Sequence, residues 1–169
     1  MLNKTRVTYW AKEIVITVLL LFVVANVISY LRAPELPDQT LSKISTILTN
    51  EELYSTLDDE GKPLLVHFWA TWCPTCKLEA GNIQSISEHF SVLSIAVKSG
   101  SDSEINNYLK AHDLDFKVIN DQHGILSERF SVGVFPTSFI YNKEGELSFT
   151  EVGYTSTLSL YLKMWWAGL

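Results

Sequence analysis

Phe68-Trp69-Ala70-Thr71-Trp72-Cys73-Pro74-Thr75-Cys76-Lys77 holds the only two cysteines of the 169-residue chain, and it places them three positions apart. Residues i and i+3 share one face of a helix, so a helix beginning near Cys73 brings both sulfurs within bonding reach. The preceding run, Pro63 to Ala70, is short and apolar and suits a buried strand. The cysteines therefore stand at a strand-to-helix junction. Pro74 fits the first helical turn, where a missing N–H is harmless. This leaves Cys73 facing unpaired backbone N–H groups, a setting that favours an anion. Cysteines placed in this way ionise at roughly 3.5 to 7.5 rather than about 8.5, and Cys73 is the expected nucleophile.

The remaining composition narrows the function. A chain that is 47% hydrophobic has material for one ordinary domain core. The net charge of -6 and the pI near 5.2 exclude the basic face that nucleic-acid binding needs. No internal repeat, low-complexity tract or phosphate-cradling glycine loop is present.

Residues 1–13 carry Lys4, Arg6 and Lys12, and Ile14 to Leu31 then runs without a charge. Those 18 residues span about 27 Å as a helix, enough for a bilayer core. The reading is a single-pass transmembrane anchor at 14–31, with Tyr9, Trp10 and Tyr30 in the interfacial belts. The basic cluster before the span and Glu35 and Asp38 after it place residues 1–13 in the cytoplasm. A cleaved signal peptide ending near Val23-Val24-Ala25 is the competing reading; in both, the rest of the chain is exported. Residues 32–43, with Pro34 and Pro37, form an extended linker, and the domain occupies 44–169.

Within the domain the pattern predicts a β-rich stretch from Ile44 to Thr49, a helix from Glu51 to Asp58, the strand and helix around the cysteines, and a strand from Val92 to Val97. Next come a helix from Asp102 to His112 capped by Asp102 or Ser103, a short strand at Phe116 to Ile119, and a helix from Gln122 to Phe130. Val134 to Tyr141 and Glu146 to Val152 form a hairpin, and Ser156 to Trp166 closes as a helix. Strands alternating with helices indicate an α/β mixed sheet covered on both faces.

The Trp-Cys-x-x-Cys after a buried strand, Phe135-Pro136-Thr137 before a late strand, and the Gly145-Glu146 turn resemble a thioredoxin-like protein. The anchor, the Phe68 to Cys73 run, Glu79 and the segment from Gly100 to Gly124 resemble the membrane-anchored TlpA-like branch. Ala96 to Gly100, Asn120 to Gly124 and the tail from Leu158 to Trp166 are similar to the suppressor-of-copper-sensitivity protein D group.

The resemblance implies a thiol-disulfide oxidoreductase on the periplasmic face of a bacterial inner membrane. It would act on protein disulfides or dithiols, exchange electrons with a membrane redox partner, and need no cofactor. Cys73 would attack and Cys76 resolve. Pro136 would be a cis-proline, with Phe135 and Thr137 presenting backbone groups to an extended client. Trp72 would line the contact surface, and Pro74 and Thr75 would set the environment of the pair. Three positions depart from the family pattern: His67 stands for a buried carboxylate, Gly81 for a helix-kinking proline, and Ser101 for a glutamate used by relatives in cytochrome c maturation.

Other readings stay open at this point. The cysteines could be a structural staple, although a loop this short removes little unfolded-state entropy. They could hold copper(I), which suits soft thiolates, although His67, His89, His112 and His123 show no ligand spacing and no metal site is assigned. His67 is either a packing residue or a neutral base that takes the proton of Cys76, burial lowering its pKa from about 6.5. Trp69 reads as core, and Trp165 and Trp166 as packing of the last helix, with contact of one of them with the bilayer interface as the lesser alternative.

Overall fold

The computed structural model describes residues 10, 12–17, 19, 20, 23, 24, 27, 45–59 and 61–169. The chain divides into two compact units, Met1–Arg32 and Ala33–Leu169. All described residues of the first unit are helical, and Ile14, Val15, Leu19, Leu20, Val23 and Val24 are exposed. Among the described residues no helix is long and apolar enough to cross a membrane. Much of the expected anchor and all of the linker at 32–43 lie outside the described residues.

In chain order the second unit contains β1 (Ser45–Ile47), β2 (Leu53–Ser55), a 3-10 turn (Thr56–Asp59), β3 (Leu64–Trp69), α1 (Pro74–Ser87), β4 (Ser91–Val97) and α2 (Asp102–Ala111). It continues with β5 (Lys117–Asp121), α3 (Ile125–Arg129), β6 (Thr137–Tyr141), β7 (Leu147–Val152) and α4 (Thr157–Ala167). β3 is buried at all six positions because it is central in the order β5-β4-β3-β6-β7. It runs parallel to β4 and antiparallel to β6, so the sheet is mixed.

Alternation along the strands divides the core into two layers. Leu65, Trp69, Ala96 and Ile140 pack with Ile83 and Ile86 of α1, Ile105 and Leu109 of α2, and Leu160 and Met164 of α4. Val66, Phe68, Ile95 and Phe139 face the other way, against Phe130, Val132, Leu48 and Tyr54. Phe68, Phe130 and Phe139 stack there with ring centroids 5.2 to 5.9 Å apart. This is the expected α/β thioredoxin-like architecture.

Four local expectations are corrected. The stretch from Glu51 is β2 followed by the 3-10 turn, because Leu53 to Ser55 pairs antiparallel with β1 and Tyr54 donates a 2.6 Å hydrogen bond to Asp59. The helix at Gln122 starts only at Ile125, since Gly124 is left-handed and Asp121 accepts from the N–H groups of Leu126 and Ser127. The cap of α2 is Ser101, in a capping box with Glu104. Trp165 and Trp166 are 53% and 65% exposed, because Leu160, Met164 and Ala167 form the buried face of α4.

Gly81 lies on the exposed side of an uninterrupted α1, and an added Cβ there meets nothing within 4 Å. Glycine in a helix interior is unfavourable relative to alanine. Gly81→Ala should stabilise the domain by about 0.5–1 kcal/mol in urea denaturation.

Candidate active site

The strand-to-helix junction works as the sequence suggests. β3 ends at Trp69, Ala70 accepts from the Cys73 N–H, and Cys73 becomes the N-cap of α1 with Pro74 as its first residue. The Cys73 sulfur accepts from the Cys76 N–H at 3.2 Å, so it occupies the position of an N-cap oxygen. Cys73 and Cys76 are joined as a disulfide with Cα atoms 5.3 Å apart, and both are nearly buried. When the disulfide opens, the same N–H and the helix end stabilise a thiolate on Cys73.

The loop before β6 supplies the opposite wall. The Phe135–Pro136 peptide bond is cis, and the Phe135 carbonyl oxygen lies 3.6 Å from the Cys73 sulfur. The oxidised sulfur has no proton to donate to it, whereas a reduced thiol does. Trp72 is 57% exposed, sets its ring edge-on to Phe135 at 5.8 Å, and donates from Nε1 to the Lys98 carbonyl. The rim around the disulfide is thus formed by Trp72, Pro74, Val134 and the half-buried Phe135, with Thr75 partly exposed beside them. Thr137 is buried, and its hydroxyl donates to the Val134 carbonyl at 2.8 Å, bracing the loop.

His67 belongs to a polar strip under α1. It stands opposite Ser94 on β4 and Ser138 on β6, and its Nδ1 lies 2.8 Å from the Ser138 hydroxyl. Trp69 donates to Ser94 from the same strip. Burial without a compensating charge lowers the His67 pKa to about 3, so the ring is neutral at physiological pH. Ser138→Ala leaves a buried ring nitrogen unpaired and should cost about 1–3 kcal/mol in urea denaturation of the oxidised protein.

Glu79, which the sequence reading used only as a mark of resemblance, is the functional residue it missed. It lies on the buried face of α1 with Cys76, Ile83 and Ile86 and is 1% exposed. One carboxyl oxygen accepts from the Thr155 N–H at 2.9 Å, while Oε2 has no partner among the described residues. Desolvation, helped by the charge of Glu151 and opposed by the Thr155 hydrogen bond, raises its pKa to about 8. The i, i+3 spacing from Cys76 was the available signal, because it puts the carboxyl on the face of the resolving thiol.

Among the described residues no group of three or more histidine, cysteine or acidic side chains gathers that could hold a metal ion. A copper(I) reading rests on Cys73 and Cys76 alone.

A mixed sheet carrying a disulfide at the N-cap of its central helix, with a cis-proline loop against it, defines a thioredoxin-like thiol-disulfide exchange protein. The model of the AhpC/TSA family matches residues 35–150, and the chain belongs to that family. It is 31% identical over 147 residues to the thioredoxin-like protein of Haemophilus influenzae, covering 86% of this chain and 87% of that one. It is 28% identical over 105 residues to the sporulation thiol-disulfide oxidoreductase A of Bacillus subtilis, covering 58% of this chain and 64% of that protein. Among solved structures, a secreted thiol-disulfide isomerase from Corynebacterium glutamicum superposes with a TM-score of 0.72 at 18% identity, covering 81% of this chain and 92% of that one.

Proposed function

We propose that the chain is a protein thiol-disulfide oxidoreductase working through Cys73 and Cys76. The observation that carries this is the redox-active pair at the start of α1, facing the Phe135–Pro136 loop across 3.6 Å. In the reducing direction the Cys73 thiolate attacks one sulfur of a client disulfide, forming a mixed disulfide and expelling a client thiolate. Cys76 then loses its proton and attacks the Cys73 sulfur. The second client thiolate leaves, and two electrons have passed from the pair to the client. The reverse sequence oxidises a client dithiol.

The proton of Cys76 needs an acceptor of matched pKa. His67, held near 3, binds a proton too weakly and has its Nδ1 engaged with Ser138. Glu79, raised to about 8, is mostly protonated at neutral pH, and it is the ionised fraction, growing as the pH rises toward 8, that can take the proton of a thiol of about 8.5. On this reading His67 stays neutral and packs against Ser138, and ionised Glu79, on the same face of α1 as Cys76, is the proton acceptor.

The finer placement belongs to the same proposal. The uncharged run from Ile14 to Leu31, the basic residues before it and the exposed helical positions of the first unit support a single-pass anchor with the catalytic domain in the periplasm. Electrons would come from, or go to, a redox protein of the same inner membrane. The TlpA-like branch, close to the suppressor-of-copper-sensitivity protein D group, is the subgroup this organisation fits.

The test is reduction of insulin disulfides by the purified full chain with dithiothreitol as electron donor. Reduction well above the dithiothreitol background is expected. A protein that binds copper(I) tightly in the reduced state and leaves insulin untouched would instead be a metal module.

A further inference from the structure

α4 is apolar on two opposite faces, of which one is buried in the core and the other is covered only at its edge, where the Tyr161 ring meets Phe90 and His89 edge-on. Leu160, Met164 and Ala167 are buried in the core layer shared with α1. On the other side Leu158, Tyr161, Leu162, Trp165 and Trp166 are between 42% and 69% exposed. Their positions follow i, i+3, i+4, i+7 and i+8, so they form one stripe about 12 Å long. Leu169, just past the helix, is 67% exposed as well. The stripe contains no charge, and Lys163 on its flank is paired with Glu151. A helix that is apolar all round ordinarily has both faces covered, and a contiguous exposed apolar patch marks a contact surface.

The composition and size of the stripe select the occupant. Two tryptophans and a tyrosine set among leucines are the side chains that settle at the boundary between headgroups and acyl chains. A stable protein interface draws on about 20–30 residues a side, many more than this single stripe offers, whereas an interfacial helix needs only one apolar face. Residues 32–43 separate the uncharged run from the domain and span at most about 43 Å when extended. With residues 14–31 in the bilayer, the domain never leaves the neighbourhood of the lipid surface, and even a weak docking contact is populated at the high effective concentration a tether provides.

We infer that α4 is a membrane-docking helix, laying Leu158, Tyr161, Leu162, Trp165 and Trp166 into the lipid interface of the membrane that anchors the chain. The inference rests on the anchor reading. It adds a second, reversible attachment that holds the catalytic domain against the bilayer.

The test uses the full chain carrying Trp10→Phe, reconstituted into vesicles of phosphatidylcholine with a minority of phosphatidylglycerol, with plain or brominated acyl chains. Bromine quenches only indoles that reach the lipid. Flotation and resistance to alkaline carbonate report anchorage separately. Four tryptophans remain, of which Trp69 is buried in the core and Trp72 lies beside the disulfide. Loss of roughly half the emission in brominated vesicles is expected if the other two dock. The loss should disappear when Trp165→Phe and Trp166→Phe are added, and should shrink with Leu158→Ser and Leu162→Ser, which replace exposed side chains and leave insulin reduction intact. An anchored chain that emits equally in both vesicles overturns the docking and leaves the anchor standing. A chain that does not float overturns the anchor reading and this inference with it. Unquenched emission accompanied by cross-linked dimers assigns the stripe to a second copy and overturns the lipid assignment.

Discussion

Replacing Cys73 by serine should reduce insulin-disulfide reduction to the uncatalysed background, a loss of at least about a hundredfold. Cys73 is the sulfur that receives the Cys76 N–H, stands at the N-cap of α1 and faces the Phe135 carbonyl. A serine hydroxyl can occupy the cap and keep the helix start, so the fold survives while the nucleophile is lost. Cys76→Ser should also abolish turnover but for a different reason: attack still occurs, and the mixed disulfide is not resolved. The two variants therefore separate in a single-turnover experiment, in which Cys76→Ser releases one client thiol rapidly and Cys73→Ser releases none. Equal behaviour of the two would remove the division of labour argued from the helix start.

The second large effect is on stability against pH, and it comes from two buried groups of opposite sign. Glu79 has a pKa of about 8 in the folded state against 4.5 as its ordinary value. Above 4.5 the unfolded chain gives up a proton that the folded chain retains, so the contribution of Glu79 is full below 4.5 and is lost as the pH rises to about 8. His67 has a pKa of about 3 against 6.5. Its contribution is full above 6.5 and is lost as the pH falls toward 3. Between 4.5 and 6.5 the two slopes oppose, giving a plateau with a fall on either side. Each pKa unit corresponds to about 1.4 kcal/mol, so the alkaline limb, from 6.5 to about 8, amounts to roughly 2 kcal/mol. Glu79→Gln keeps an oxygen for the Thr155 N–H and removes the titration. Urea denaturation across pH should show the alkaline limb flattened and the acid limb retained. The same variant should resolve mixed disulfides more slowly near neutral pH, a change that loss of packing alone would not make pH-dependent. An unchanged alkaline limb in Glu79→Gln would show that the carboxyl is ionised in the folded protein.

The junction of β3 and α1 was legible because its determinants are local: an apolar run, a proline suited only to a first turn, and two cysteines at helical spacing. The burial of Trp69 followed from the same apolar run, and the exposure of Trp72 from its place beside Cys73. The β1–β2 pairing was not legible, because Glu51-Glu52-Leu53-Tyr54 carries helix-compatible residues and strand pairing depends on a partner elsewhere in the chain. Glu79 was visible as a spacing but not as a buried acid, since its isolation depends on the segment around Thr155 folding over α1. The part Thr137 plays in bracing the loop was not legible, because its hydroxyl finds the Val134 carbonyl only through the loop geometry. The last helix misled for a physical reason. With apolar residues on both faces, the sequence offers no means of choosing which tryptophans pack inward.

Cys73 is the sulfur that joins a client. The most direct measurement is to mix the reduced Cys76→Ser chain with a disulfide-bonded polypeptide, quench in acid and map the covalent adduct by peptide mass spectrometry. An adduct joining a client cysteine to Cys73, reversed by dithiothreitol and absent from Cys73→Ser, is the predicted result. The absence of an adduct on Cys73, or an equally abundant one on Cys76 in the Cys73→Ser chain, would contradict it.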